Sequence, residues 1–142
     1  RSENDRLATI EAVRDGTIDI VSSMHTPQDE ESKRLPFEDA ASGAIGLETI
    51  LPAMLRLYHS NHLKMDQIFN AISLKPAKRL GLACGSLKHE KIADLIIFDA
   101  DKPFILNREL LHSKVQNTPF DGHKLQGQVL RTFVKGKEVF SL

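Results

Sequence analysis

The chain has 142 residues, of which 41% are hydrophobic and 27% are charged, so it predicts one soluble globular core. Its 19 Lys and Arg residues balance its 19 Asp and Glu residues, which excludes a global field attracting nucleic acid or an anionic membrane. A single cysteine, Cys84, excludes an internal disulfide framework. We see no signal peptide and no apolar run of about 18 residues, so we expect a cytoplasmic protein.

The first part of the chain predicts one helix, one strand and one long loop. A helix is expected at about Glu3–Arg14, with Ser2 as its N-cap and Asp15-Gly16 as its stop. The apolar run Thr17–Ser22 then predicts a short buried strand. A polar loop without a periodic pattern extends over Ser23–Ile45, and loops of this length in compact domains are usually functional or disordered.

The pattern changes from helices to strands near the middle of the chain. Helical spacing predicts a second helix at about Leu47–His59, a third at about Met65–Ile72 and a short fourth beginning near Pro76. The later apolar runs predict strands, the last two forming a hairpin around Lys135-Gly136-Lys137: Ala93–Phe98, Val129–Val134 and Glu138–Phe140.

We therefore place a domain boundary near Leu82–Gly85 and expect an α/β chain. Residues 1–83 carry a β/α pattern, whereas residues 84–142 carry a β pattern. No internal repeat or low-complexity tract is present.

The polar turn after the first strand is where barrel enzymes place their catalytic groups. Met24 lies in this turn, in the run Met24-His25-Thr26-Pro27-Gln28. A thioether carries no proton at neutral pH and is a poor ligand for zinc, so we expect Met24 to fill space among its neighbours. The turn thus predicts an enzyme-like site that lacks its reactive side chain.

Several motifs, in a fixed order, resemble the C-terminal part of class I dihydroorotases of the amidohydrolase superfamily. They are Arg1–Leu7, Asp15–Asp19, Arg34–Glu38, Gly43–Thr49, Gly85–Leu87, Ala93–Asp99, Asn117–Phe120 and Gly127–Val129. The resemblance implies the C-terminal portion of a (β/α)8 TIM-type barrel followed by strands of a small β-sandwich. It also implies an N-terminal barrel half outside this sequence, a homo-oligomer, and zinc in active members.

The resemblance also places site residues. In active members the strand leads into Asp-His-Ala-Pro-His, whose Asp handles the proton of the attacking water beside zinc. Aligned on Pro27, that Asp falls on Met24, the first His on His25 and the last His on Gln28. Gly43 matches a backbone position that contacts substrate. We therefore expect substrate contacts from His25, Gln28 and Gly43, with a structural hydrogen-bonding role favoured for His25, and no catalytic or metal-binding residue here.

The resemblance implies the reversible hydrolysis of dihydroorotate to N-carbamoyl-aspartate in pyrimidine biosynthesis, and Met24 indicates weak or absent activity. An active zinc-dependent dihydroorotase stays open, as does a non-catalytic structural partner of aspartate transcarbamoylase. A hydantoinase or allantoinase relative is a further alternative. The nearest carboxylates, Asp19 and Asp29, are not expected to replace the lost acid without remodelling of the loop.

Overall fold

The computed structural model describes residues 2–142, with helices in the first part of the chain and strands in the last. The helices of this range are α1 (Glu3–Asp15), α2 (Glu30–Lys33), α3 (Ile50–His59), α4 (Met65–Phe69) and α5 (Lys75–Arg79). A π-helical turn (Asn70–Leu74) joins α4 to α5. The strands are β1 (Leu95–Ile105), β2 (Lys124–Val134) and β3 (Lys137–Ser141), and a 3₁₀ turn (Arg108–Leu110) follows β1.

Helix α1 has the caps that the sequence predicts. The Ser2 hydroxyl accepts a hydrogen bond from the Asp5 N–H at 3.2 Å, and the Ser2 N–H donates to the Asp5 carboxylate at 3.0 Å. Gly16 ends the helix with φ 88°, a left-handed conformation that glycine adopts at low cost. Arg1, which begins the first quoted motif, lies outside the described residues.

The prediction of a strand at Thr17–Ser22 is wrong for the described residues. This run forms no β ladder, although the Val21 N–H donates to the Ala71 carbonyl at 3.1 Å. A strand requires a neighbour that alternates donors and acceptors along its length, and the described chain supplies none beside this run. A single parallel bridge, between His25 and Ala44, follows just beyond it.

The helices between Ile50 and Arg79 differ from the prediction at the start of α3 and at the junction of α4 and α5. Helix α3 begins at Ile50 rather than at Leu47, after a turn in which the buried Thr49 hydroxyl donates to the Gly46 carbonyl at 3.4 Å. The predicted separate helix near Pro76 is instead a continuation of α4 through the π-helical turn. Since proline has no N–H to donate to the preceding turn, the wider π-helical turn accommodates Pro76 near the start of α5.

The three strands form one antiparallel sheet in the order β1-β2-β3. The predicted hairpin between β2 and β3 is confirmed, and its turn residues Lys135 and Gly136 have φ 51° and 76°. Strand β1 continues beyond Phe98, where the apolar run ends, because an irregularity between Asp99 and Pro103 absorbs the polar residues.

Two apolar contacts hold the elements together. A buried cluster joins α1 to α3, to α4 and to the loop between α3 and α4, and its members are Ile10, Met54, Leu63 and Ile68. Helix α3 also packs on β2, where Leu55, with no exposed surface, lies against Gly127. Among residues 2–142, no helix combines the length and apolarity required to cross a membrane.

Candidate functional site

The predicted site residues lie on two adjacent stretches of chain, residues 23–28 and 42–46, which we call the paired segments. The Thr26 N–H donates to the Ala44 carbonyl at 2.9 Å. Glycine permits this close approach, since a Cβ at Gly43 would lie 2.7 Å from the Thr26 carbonyl oxygen and one at Gly46 would lie 2.6 Å from the Ser23 carbonyl oxygen. The structure therefore brings Met24, His25, Gln28 and Gly43 into one region.

Met24 projects away from the described chain. Met24 is 75% exposed, so the expectation that it packs against neighbours is wrong for the described residues: the paired segments leave that side open. Its backbone has φ 45°, a left-handed conformation in which Asn and Asp are enriched and Met is uncommon. The Thr26 hydroxyl donates to the Met24 carbonyl at 2.9 Å and fixes this turn. The backbone at this position therefore suits an aspartate better than the methionine it carries.

His25 is bound into the chain by one of its ring nitrogens. Its Nδ1 accepts a hydrogen bond from the Gly46 backbone N–H at 3.1 Å. Because a backbone N–H only donates, Nδ1 must carry the lone pair, which places the proton of the neutral ring on Nε2. The ring in this arrangement ties the paired segments together and offers no free lone pair to a metal.

Gln28 and Gly43 are likewise held by the chain itself. The Gln28 side-chain amide donates to the Ser42 carbonyl at 3.1 Å. The Gly43 carbonyl accepts from the Lys33 ammonium at 3.3 Å and from the Asn117 amide at 3.2 Å. In this arrangement the Gln28 amide donor links the paired segments rather than pointing to an open site.

The donor chemistry of this region does not fit a zinc ion. Met24 offers a thioether, and the lone pair on His25 Nδ1 accepts the Gly46 N–H. Within residues 2–142, no group of three or more His, Cys, Asp or Glu side chains is placed to hold a metal. Ligands for the zinc implied by the family resemblance would have to come from outside this part of the chain.

The two carboxylates nearest to Met24 along the sequence have other partners. Asp29 caps α2, where its carboxylate accepts the Ser32 N–H at 2.8 Å, and this hydrogen bonding lowers the pKa of Asp29 below its ordinary value. Asp19 pairs with the Lys75 ammonium at 2.9 Å. Both carboxylates therefore already have partners in this structure.

The sequence gives Asn117 no role beyond its place in a motif, yet Asn117 contacts both paired segments. Its side-chain oxygen accepts the Gln28 N–H at 3.3 Å, and its side-chain nitrogen donates to the Gly43 carbonyl at 3.2 Å. These partners lie 89 and 74 residues away in sequence, so no local periodicity reveals them. The one available signal is its position in the motif Asn117–Phe120.

Two further side chains that could carry chemistry, those of His59 and Cys84, are not part of the paired segments. The His59 Nε2 lies 3.0 Å from the Ala100 carbonyl oxygen and so links the end of α3 to β1. Cys84 is an exposed free thiol.

The sequence matches the amidohydrolase family over residues 1–139, and the chain belongs to that family. The dihydroorotase of Wolbachia sp. subsp. Drosophila simulans (strain wRi) is 40% identical over 141 residues, covering 99% of this chain and 32% of its own length. The dihydroorotase of Aquifex aeolicus (strain VF5) is 40% identical over 140 residues, covering 99% and 33%. The chain thus spans about a third of these relatives.

Two solved structures also align with nearly the whole chain. The L-hydantoinase (dihydropyrimidinase) of Arthrobacter aurescens aligns with TM-score 0.93 and 31% identity over 99% of this chain and 33% of its own. The dihydropyrimidinase of Brevibacillus agri NCHU1002 aligns with TM-score 0.92 over 99% and 32%, and its 22% identity shows the fold alone. These neighbours are TIM-barrel enzymes of the amidohydrolase superfamily, so the mixed helix and strand structure is part of an α/β fold. The predicted resemblance to dihydroorotases is confirmed.

Proposed function

We propose that this chain is the C-terminal part of a dihydroorotase-like protein that hydrolyses dihydroorotate to N-carbamoyl-aspartate weakly or not at all. Residues 1–83 would supply the last β/α units of a (β/α)8 barrel, and residues 84–142 the C-terminal share of a β-sandwich. Two features support the dihydroorotase lineage: the ordered motifs, and 40% identity to dihydroorotases over nearly the whole chain.

The observation that carries the proposal is Met24. It occupies the position of the family's proton-handling Asp, on a left-handed backbone that suits Asp. A general base contributes about 10²–10⁴-fold to a rate, and a thioether supplies none of this. Asp19 and Asp29, the nearest acids along the chain, are engaged by Lys75 and Ser32 and so are poorly placed to substitute for it.

The open side of the paired segments supports a missing barrel half as the principal partner. The run Thr17–Ser22 has no ladder partner among the described residues, and Ile20 and Met24 are 38% and 75% exposed. A barrel strand leaves unpaired backbone groups at its edges until the ring closes. The preceding barrel strands would pair with this run. We further propose that the completed protein forms a homo-oligomer.

The residues of this chain would then shape the ligand side of the site. His25 holds the two paired segments together through Gly46, and Gly43 places backbone close to a bound ligand. Gln28 would reach a ligand carboxylate after exchanging its Ser42 partner, as a neutral donor without the charge assistance of a protonated His.

The test measures zinc content and dihydroorotate hydrolysis of the full-length protein that contains this chain. We expect substoichiometric zinc and a rate near the uncatalysed background, with Met24→Leu as a matched control that leaves the rate unchanged. Stoichiometric zinc with ordinary turnover would establish the active zinc-dependent dihydroorotase instead. Turnover of hydantoin or allantoin in place of dihydroorotate would assign the chain to another cyclic-amide hydrolase.

A non-catalytic role beside aspartate transcarbamoylase is a further proposal that follows from a silent site. Co-purification of the two proteins in a fixed ratio would support this partner, and separate elution at micromolar concentration would contradict it.

A further inference from the structure

We propose that Asn117 is a positioning residue, which fixes the spacing of the paired segments and so sets the affinity of the site for its ligand. That the site binds a ligand rests on the proposed function, whereas the positioning role rests on the contacts of Asn117.

Asn117 makes one hydrogen bond to the first paired segment and two to the second. The Gln28 N–H donates to its side-chain oxygen at 3.3 Å, and its side-chain nitrogen donates to the Gly43 carbonyl at 3.2 Å. Its backbone carbonyl also accepts the Ile45 N–H at 3.1 Å. A residue of the region 84–142 thereby holds together two stretches that are both part of the region 1–83.

The chemistry of both partners requires an amide at this position. The Gln28 N–H can only donate and the Gly43 carbonyl can only accept. The Asn117 amide must therefore direct its oxygen to Gln28 and its nitrogen to Gly43. An aspartate would keep the acceptor and lose the donor, and alanine would lose both. The half-buried amide of Asn117 satisfies the two segments at once.

A local turn presents this amide rigidly. The Thr118 N–H donates to the Gln116 carbonyl at 2.9 Å, and the Phe120 N–H donates to the Thr118 hydroxyl at 3.3 Å. Pro119 lies between these two donors and restricts the backbone of Thr118 as well as its own. The side chain of Asn117 therefore acts from a fixed backbone position.

Other contacts keep the paired segments together when Asn117 is changed. The Thr26 N–H still donates to the Ala44 carbonyl, and the Lys33 ammonium still donates to the Gly43 carbonyl. We therefore expect Asn117→Ala to loosen the spacing between Gln28 and Gly43 without unfolding the protein.

The first measurement is amide hydrogen exchange on the full-length protein, which does not depend on any ligand. Asn117→Ala should accelerate exchange of the Gln28 N–H by about tenfold with an unchanged Tm, because this N–H loses its acceptor. Asn117→Asp should leave exchange at Gln28 slow, since the acceptor is retained. Asn107→Ala is the matched control, as the Asn107 side chain accepts only a local bond from the Glu109 N–H among the described residues.

The second measurement is the Kd of dihydroorotate, by calorimetry on the same variants. Both Asn117→Ala and Asn117→Asp should weaken binding about tenfold or more, because both lose the bond to Gly43, while Asn107→Ala leaves it unchanged. Equal exchange at Gln28 in wild type and Asn117→Ala, or faster exchange throughout with a lowered Tm, would overturn the positioning role. Wild-type protein that binds no dihydroorotate would count against the proposed function, and the exchange result would still decide the role of Asn117.

Discussion

The substitution Gly43→Ala should destabilise the protein more than the same change at a glycine with open surroundings. Gly43 has φ 121°, and a Cβ there would lie 2.7 Å from the Thr26 carbonyl oxygen and 2.9 Å from the Thr26 Cβ and Cγ2 atoms. The nearest atom belongs to backbone, which cannot rotate aside. The added methyl group must therefore push the paired segments apart.

Two separate costs set the magnitude for Gly43→Ala. Backbone strain at this φ costs about 1–3 kcal/mol for a non-glycine residue. Overpacking adds about 1–3 kcal/mol, so the expected loss in the free energy of unfolding is about 2–6 kcal/mol. Gly136 is the matched control, since it has φ 76° and no heavy atom within 4 Å of a built Cβ. Gly136→Ala should cost about 1–2 kcal/mol from strain alone.

Equilibrium urea unfolding of both variants, followed by circular dichroism, measures the two losses. Gly43→Ala should shift the midpoint further than Gly136→Ala at an unchanged m-value. Dihydroorotate affinity should fall in Gly43→Ala and stay unchanged in Gly136→Ala. Equal midpoint shifts in the two variants would refute the close approach of the paired segments.

Three further changes test other parts of the structure. Leu55→Ala should cost about 2–5 kcal/mol in urea unfolding, because it leaves a cavity between α3 and β2, and a loss below about 1 kcal/mol would contradict this packing. Met24→Gly should leave the free energy of unfolding unchanged or raise it by up to about 1 kcal/mol, since relief of left-handed strain offsets the entropy of glycine, and a clear loss would contradict that conformation. Asp29 has a lowered pKa in the folded protein, so its contribution is present above the ordinary value of 3.8 and is lost as the pH falls through the lowered folded value. The stability advantage of wild type over Asp29→Asn should therefore disappear in acid, and an advantage that grows in acid would contradict the cap.

Local signals in the sequence predict the elements whose causes are local. The Ser2 cap, the Gly16 stop and the Gly136 turn each follow from residue types within a few positions, and the structure contains all three. The end of α3 at His59 likewise agrees with the helical spacing. Such features need no knowledge of distant residues.

The features that the sequence misses depend on distant or absent neighbours. The run Thr17–Ser22 has the composition of a strand, but a β ladder needs a partner that the described residues do not supply. The exposure of Met24 follows from the same open side. The role of Asn117 depends on two partners far away in sequence, and the π-helical turn before Pro76 adds an extra residue that periodicity cannot show.

The initial rate of dihydroorotate hydrolysis by the full-length protein, with zinc supplied, tests the central claim about Met24 most directly. We predict a rate near background for wild type and for Met24→Leu, because neither side chain accepts a proton. Met24→Asp should also stay near background if upstream ligands are missing, and recovery there would show that Met24 alone silences the site. Rapid zinc-dependent hydrolysis by the wild-type protein would contradict the account.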